Sequence, residues 1–289
     1  MTWVVWRTHR GALLVTAGLG VALCLALVVL AAVDALDTVA RDPFGVIENP
    51  VSDVAGYLVL AAPALVGAFL GAPLLAGDLE RGTHVLLLTQ SVSRRRWAGS
   101  ALLVGGGVAV TTVVTAAAVY AGLAATEPWH DARTVAATGL VPLARTLSAL
   151  TIGVLTGLLL RRVLAASVLT LATVVVTEVA ITALRGHMVA PRLRTGPLPL
   201  GGSSGAGEQR LDSGYTLTGG GLRSGASGTG CTQDDVACLR AAGIDGNYVL
   251  VHPATDRWPL HWAEVALHLV LAAGAAAWLF ARLRRPLGR

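Results

Sequence analysis

There is no lysine in this chain: all 22 basic residues are arginine. That absence excludes two chemistries. A phosphate-cradling G-x-x-x-x-G-K-[ST] loop needs its lysine, so ATP hydrolysis by that route is not built here. Schiff-base catalysis needs a lysine amine and goes with it. Charge is scarce too. Only 13% of the 289 residues are charged, against about 25% in a soluble domain. The polar residues inside the apolar blocks are too few to single out a Ser/His/Asp or paired-carboxylate arrangement. Histidine offers little more. His261 and His268 stand seven apart with His252 nearby, but no further ligand follows at a fixed spacing, so no metal and no cofactor is assigned.

What the chain does have is apolar residues, 54% of the total, gathered in blocks of about twenty, the length that crosses a bilayer core of about 30 Å. Spans are expected near 11–33, 55–77, 99–124, 137–160, 163–184 and 262–281. The fold class is therefore an all-α integral membrane protein with six transmembrane helices. Its parts are a five-helix membrane region over 1–184 and an outer segment over 185–261. The sixth helix and a basic tail follow over 262–289. No cleavable leader is read at the start, because the first block follows Arg7 and Arg10, is long, and lacks an A-x-A exit.

Arginine placement orients the chain. With the N-terminus inside, the inner segments hold Arg7, Arg10, Arg81, Arg94–Arg96, Arg161, Arg162, Arg282, Arg284, Arg285 and Arg289. The short outer loops hold only Arg41 and Arg133. This is the positive-inside pattern, with both termini cytoplasmic and 185–261 extracellular. The sequence pI of 9.7 then reflects membrane bracketing rather than a nucleic-acid surface, and no nucleic-acid partner is expected. The tryptophans agree: Trp3, Trp6, Trp97, Trp129, Trp258, Trp262 and Trp278 fall near span ends, where indole suits the headgroups and lipid contacts.

Within 185–261, residues 201–230 are rich in Gly and Ser and are expected to be flexible. Cys231 and Cys238 follow, and an oxidising outer compartment favours a disulfide between them. Cys24 falls within the first span, as a small apolar residue. Two small-residue motifs, Gly67-x-x-x-Gly71 and Gly153-x-x-x-Gly157, suit close helix packing, either inside one subunit or between two.

Two charges stand where lipid makes them expensive. Arg145 precedes Arg161 by 16 residues, and Glu178 follows Arg162 by 16. At 1.5 Å per residue both lie about 24 Å from that turn. An unpaired charge at such depth costs roughly 2.5–3.5 kcal/mol, so an Arg145–Glu178 pair is expected. It would serve as a static clamp or as a gate.

The inner segment 78–98 is longer than a tight turn needs. Its run Gly71-Ala72-Pro73-Leu74-Leu75-Ala76-Gly77-Asp78-Leu79-Glu80-Arg81-Gly82-Thr83-His84, with Thr89-Gln90-Ser91-Val92-Ser93-Arg94-Arg95-Arg96-Trp97, resembles the permease subunits of actinobacterial ATP-binding-cassette exporters, a type-2 permease family. Trp6-Arg7-Thr8-His9-Arg10 is similar to their opening, and His252–Glu264 resembles their approach to the last helix. His261 and Gly77-Asp78 depart from the family pattern, and the Gly/Ser-rich insert is expanded. The resemblance implies a plasma-membrane exporter subunit without its own ATPase site. A cytosolic ABC ATPase subunit and a second permease chain, identical or different, would be its partners. It also implies a short coupling helix within 78–97, with Glu80, Arg81, Gly82, Thr83 and His84 at the ATPase contact, and a connecting helix over 1–10. The reading from another class is a membrane-anchored sensor or assembly protein using 185–261 as its ectodomain; a membrane enzyme comes third.

Overall fold

The structure is a computed structural model that describes residues 2–41, 50–83, 93–123, 128–198, 207–224, 231 and 235–284. Among them, six helices are long and apolar enough to cross a membrane: Val5–Val33, Val54–Glu80, Arg94–Leu123, Val141–Leu160, Val163–Met188 and Ala254–Arg282. The chain divides into two compact units. One holds Met1–Glu127, Asp131–Ile181 and Glu264–Arg289; the other holds Pro128–His130 and Thr182–Ala263.

The first unit is helical. Helix α1 (Thr2–Arg41) runs unbroken, so residues 2–10 of the expected connecting helix are helical and continuous with the first span; no proline interrupts the ladder. Helix α2 (Pro50–Val66) starts on a proline, which costs nothing where the N–H has no helical partner. It passes through a π-helical turn, Gly67–Gly71, into α3 (Ala72–Glu80). Pro73 brings no N–H to the ladder, so the turn before it loses a bond and widens. Ala72 N accordingly donates to Gly67 O, five residues back.

Helix α4 spans Arg94–Leu123 and the short α5 spans Ala132–Ala137. The chain breaks at Gly139, with φ 56°, before α6 (Val141–Leu160). The fourth span therefore starts at Val141 rather than 137, because Ala137 closes a helix of its own, capped at its start by the Asp131 carboxylate. Arg161 ends α6 in the left-handed region at φ 56°, its N–H on Gly157 O, and α7 (Val163–Met188) begins two residues later. The last helix, α9, spans Arg257–Arg282. One core joins α1, α3, α4, α6 and α9 through Leu13, Leu75, Trp97, Ala101, Leu150 and Leu279, among others.

The glycine motifs of the π-helical turn and of α6 meet each other. A methyl on Gly153 would strike the carbonyl oxygen of Gly67, and one on Gly157 that of Ala72. A methyl on Gly67 would lie 2.7 Å from Ala149 O. The two backbones touch where only glycine leaves room, within one chain.

The second unit corrects the all-α expectation. It holds a four-stranded antiparallel sheet in the order β1-β4-β2-β3, with β1 Arg192–Pro197, β2 Gln209–Leu217, β3 Leu222–Ser224 and β4 Ile244–His252. Strands β2 and β3 lie inside 201–230, which the Gly/Ser content had marked as flexible. Leu211, Tyr215 and Leu217 supply the apolar and aromatic residues a strand uses, and Gly220, at φ 82°, sits in the turn that follows β2. Helix α8 (Val236–Ala241) is capped by Asp235. Tyr215, Leu239 and Ile244 form the unit's small core.

Candidate functional site

A buried polar cluster lies among the helices of the first unit. Arg145 is only 3% exposed. Its Nε donates to Glu178 Oε1 at 3.0 Å, and its Nη2 stands 2.9 Å from Glu178 Oε2. The guanidinium fork thus meets the carboxylate at both oxygens, the strong geometry for this pair. Nη2 also donates to Leu60 O at 3.3 Å, tying in α2. Equal distance from the Arg161–Arg162 turn sets the depth of the two charges, and the packing of α6 on α7 sets their facing. A second bond between those helices joins the hydroxyls of Thr156 and Thr170 at 2.6 Å.

Two further residues belong here that reasoning from the sequence did not place. His268, on α9, is fully buried, with Nδ1 3.1 Å from Ser148 Oγ and Nε2 3.9 Å from Glu178 Oε2. The Ser148 hydroxyl donates to Arg145 O at 2.8 Å. Ser148 stands one helical turn from Arg145 and so shares its face, a spacing that could have found it. His268 had been weighed only as a metal ligand with His261 and His252. In the second unit, His261 instead meets the rings of Trp258 and Trp262 edge-on, and His252 Nδ1 lies 3.2 Å from Asp256 Oδ2.

A second cluster forms at the end of α3. Asp78 is buried and receives Trp97 Nε1–H at 3.2 Å and the Thr83 hydroxyl at 3.3 Å. His9 Nε2 stands 3.6 Å from the same carboxylate. Trp97, expected in a headgroup belt, is 1% exposed, because its indole N–H has a buried partner. Glu80 turns to the next helix pair: its Oε2 accepts from Val163 N at 2.8 Å, capping α7. Arg81 closes α3, and Gly82 follows at φ 73°, a left-handed position suited to glycine. The expected inner segment 78–98 is helical at both of its ends, since α3 reaches Glu80 and α4 starts at Arg94, and residues 84–92 lie outside the described ones. Of the proposed contact residues, His84 lies outside the described ones.

In the second unit Cys231 and Cys238 are joined by a disulfide. Asp212 accepts from the Tyr248 hydroxyl, the Ser224 hydroxyl and Ser213 N, each at 2.8 Å. The Tyr248 hydrogen bond, with that of Ser224 behind it, holds the Asp212 carboxyl below its ordinary range. The same bond raises the Tyr248 phenol.

Six span-length apolar helices, two of them joined by a buried ion pair, define a multi-pass membrane protein. The chain belongs to the family described as ABC-2 membrane transporter related, which matches residues 1–185 and is a family of transporter membrane subunits. No curated protein matches the chain, and no solved structure matches it.

Proposed function

We propose that the chain is the permease subunit of an ATP-driven exporter in the plasma membrane. A separate cytosolic ABC ATPase supplies the energy, and a second permease chain, identical or different, completes the pathway. The reading rests on the family match together with the construction of the 78–83 region. Asp78 holds groups of α1 and α4 through His9 and Trp97, while Glu80 holds the first amide of α7. Force applied to 78–83 would therefore reach α4 and α7 through hydrogen bonds and α1 through the His9 contact. The arginines at the same helix ends support a cytoplasmic placement for this region. The disulfide supports placing 185–261 outside.

Affinity purification of the full chain from its native membranes, followed by mass spectrometry, tests the reading. An ABC ATPase should be recovered with it. Arg81 is exposed, and Arg81→Glu should lower that recovery by about tenfold, a change of about 1.4 kcal/mol. Glu80→Gln, which keeps a carbonyl acceptor for Val163 N, separates a docking role from the cap. Recovery of the wild-type chain with no ATPase overturns the assignment.

One observation favours carrying a second reading. The family match stops at 185, and the described residues of 182–263 belong to a compact, disulfide-bonded unit. A sensor or assembly role for that unit would leave ATPase recovery unchanged when its surface is altered.

A further inference from the structure

The cluster around Arg145 contains a gap with a defined chemistry. Ser148 Oγ donates its hydrogen to Arg145 O, so toward His268 it acts as acceptor, and His268 Nδ1 must carry the proton of that 3.1 Å bond. In the neutral ring Nε2 then holds a lone pair. That atom is sealed from solvent and has no hydrogen-bond partner. It faces Glu178 Oε2, another acceptor, at 3.9 Å. Two acceptors face each other across a buried space, with no donor between them.

The space is small. A water lying on the line between two acceptors would need roughly twice a hydrogen-bond length of about 2.8 Å, and no solvent reaches Nε2 beside that line. A proton is the species that fits, and closing the gap by about 1 Å would complete an N–H···O bond of ordinary length. The charged and titratable groups around the ring are Glu178 from α7, Arg145 from α6 and, on α9 itself, the buried Glu264 one turn earlier.

We propose that the His268–Glu178 gap is a proton-binding site within the membrane-spanning helices, and that loading it redistributes the Arg145–Glu178 pair. On loading, an N–H bond forms at Nε2 with a proton drawn from water past Glu178, the partly exposed member of the pair. The charge of the Arg145–Glu178–His268 triad rises from zero to plus one. Glu178 Oε2 then accepts from the imidazolium as well as from Arg145 Nη2, so the bond from α6 to α7 is shared with α9. Protonation thereby changes which helices are tied together, with no metal or other ligand required. The inference concerns this chain's helices and stands whether or not the exporter reading holds.

The test is histidine-selective ¹⁵N NMR of the full chain in detergent micelles or nanodiscs between pH 8 and pH 5. His268→Asn identifies the resonance by its loss. At pH 8 the wild type should show His268 with the proton on Nδ1, and on acidification Nε2 should gain one. Glu178→Gln removes the facing charge and should shift the midpoint of that gain by about one pH unit or more toward acid. Should either variant fail to fold, ring couplings within the wild type still assign the pattern. A resonance with its proton on Nε2 at pH 8, or one unchanged down to pH 5, overturns the proposal. So does a Glu178→Gln midpoint equal to that of the wild type.

Discussion

The helical unit and the sheet unit satisfy their polar groups by opposite means. Arg145 is enclosed, and its fork is spent on one carboxylate and one backbone carbonyl. Asp212, in the sheet unit, gathers hydroxyl and amide donors near the surface, where water can replace any of them. The bonds are of similar length. What differs is the cost of losing a partner, which grows as water is excluded.

The largest expected effect lies at the enclosed pair. Arg145→Leu or Glu178→Leu strands the other charge and should destabilise the helical unit by about 3–5 kcal/mol. The double variant should recover part of that loss in thermal unfolding of the detergent-solubilised chain. Strictly additive losses would mean that the two charges do not act on each other.

Steric exclusion, unlike charge, should cost the same in both units. Gly153→Leu drives a side chain into the Gly67 backbone, and Gly214→Ala drives one into the backbone of Arg223. Each should cost about 1–3 kcal/mol. Gly107, with open space at its Cβ position, should tolerate alanine and gain helix stability. A harmless Gly153→Leu would show that the π-helical turn and α6 do not make the contact described.

A smaller effect is expected at the Glu80 cap. Glu80→Ala leaves Val163 N without its acceptor and should cost about 1 kcal/mol, while Glu80→Gln should cost less. Equal losses for the two would assign the effect to charge rather than to the hydrogen bond. The difference is read from unfolding midpoints.

The smallest effect is the pH response of the sheet unit. Asp212 titrates below its ordinary value of 3.8, so its contribution is present above that value and fades as pH falls through the lowered one. Tyr248 titrates above 10, so its contribution is present below that value and is lost as pH rises through the raised one. Tyr248→Phe should move the Asp212 carboxyl back toward 3.8, as read from its ¹³C resonance. An unmoved resonance would deny Tyr248 that role.

Much of the helical unit was legible because lipid imposes one simple rule. A span must be long and apolar, and Val5–Val33, Val163–Met188 and the others announce themselves on that ground. Arg145 and Glu178 stood out for the same reason, as charges in blocks that otherwise have almost none. The sheet was hidden because its strands are short, glycine-rich and interrupted by turns, so their alternation is weak. Gly214 illustrates the difficulty. It reads as a loop residue, yet it sits opposite Tyr248 in a strand pair because a larger residue would collide there.

By itself, the sequence determined the number of span-length apolar helices, the equal spacing of the two buried charges from the turn between them and the absence of lysine chemistry. These depend on composition and on counting along a helix. Which faces meet was decided only in three dimensions. That Gly67 packs on Gly153, that Glu80 caps α7, and that His268 Nε2 comes to face Glu178 all follow from the rotation of helices distant in sequence. Rotation about a helix axis is set by the packing of its neighbours, and the span that carries it is apolar on nearly every side.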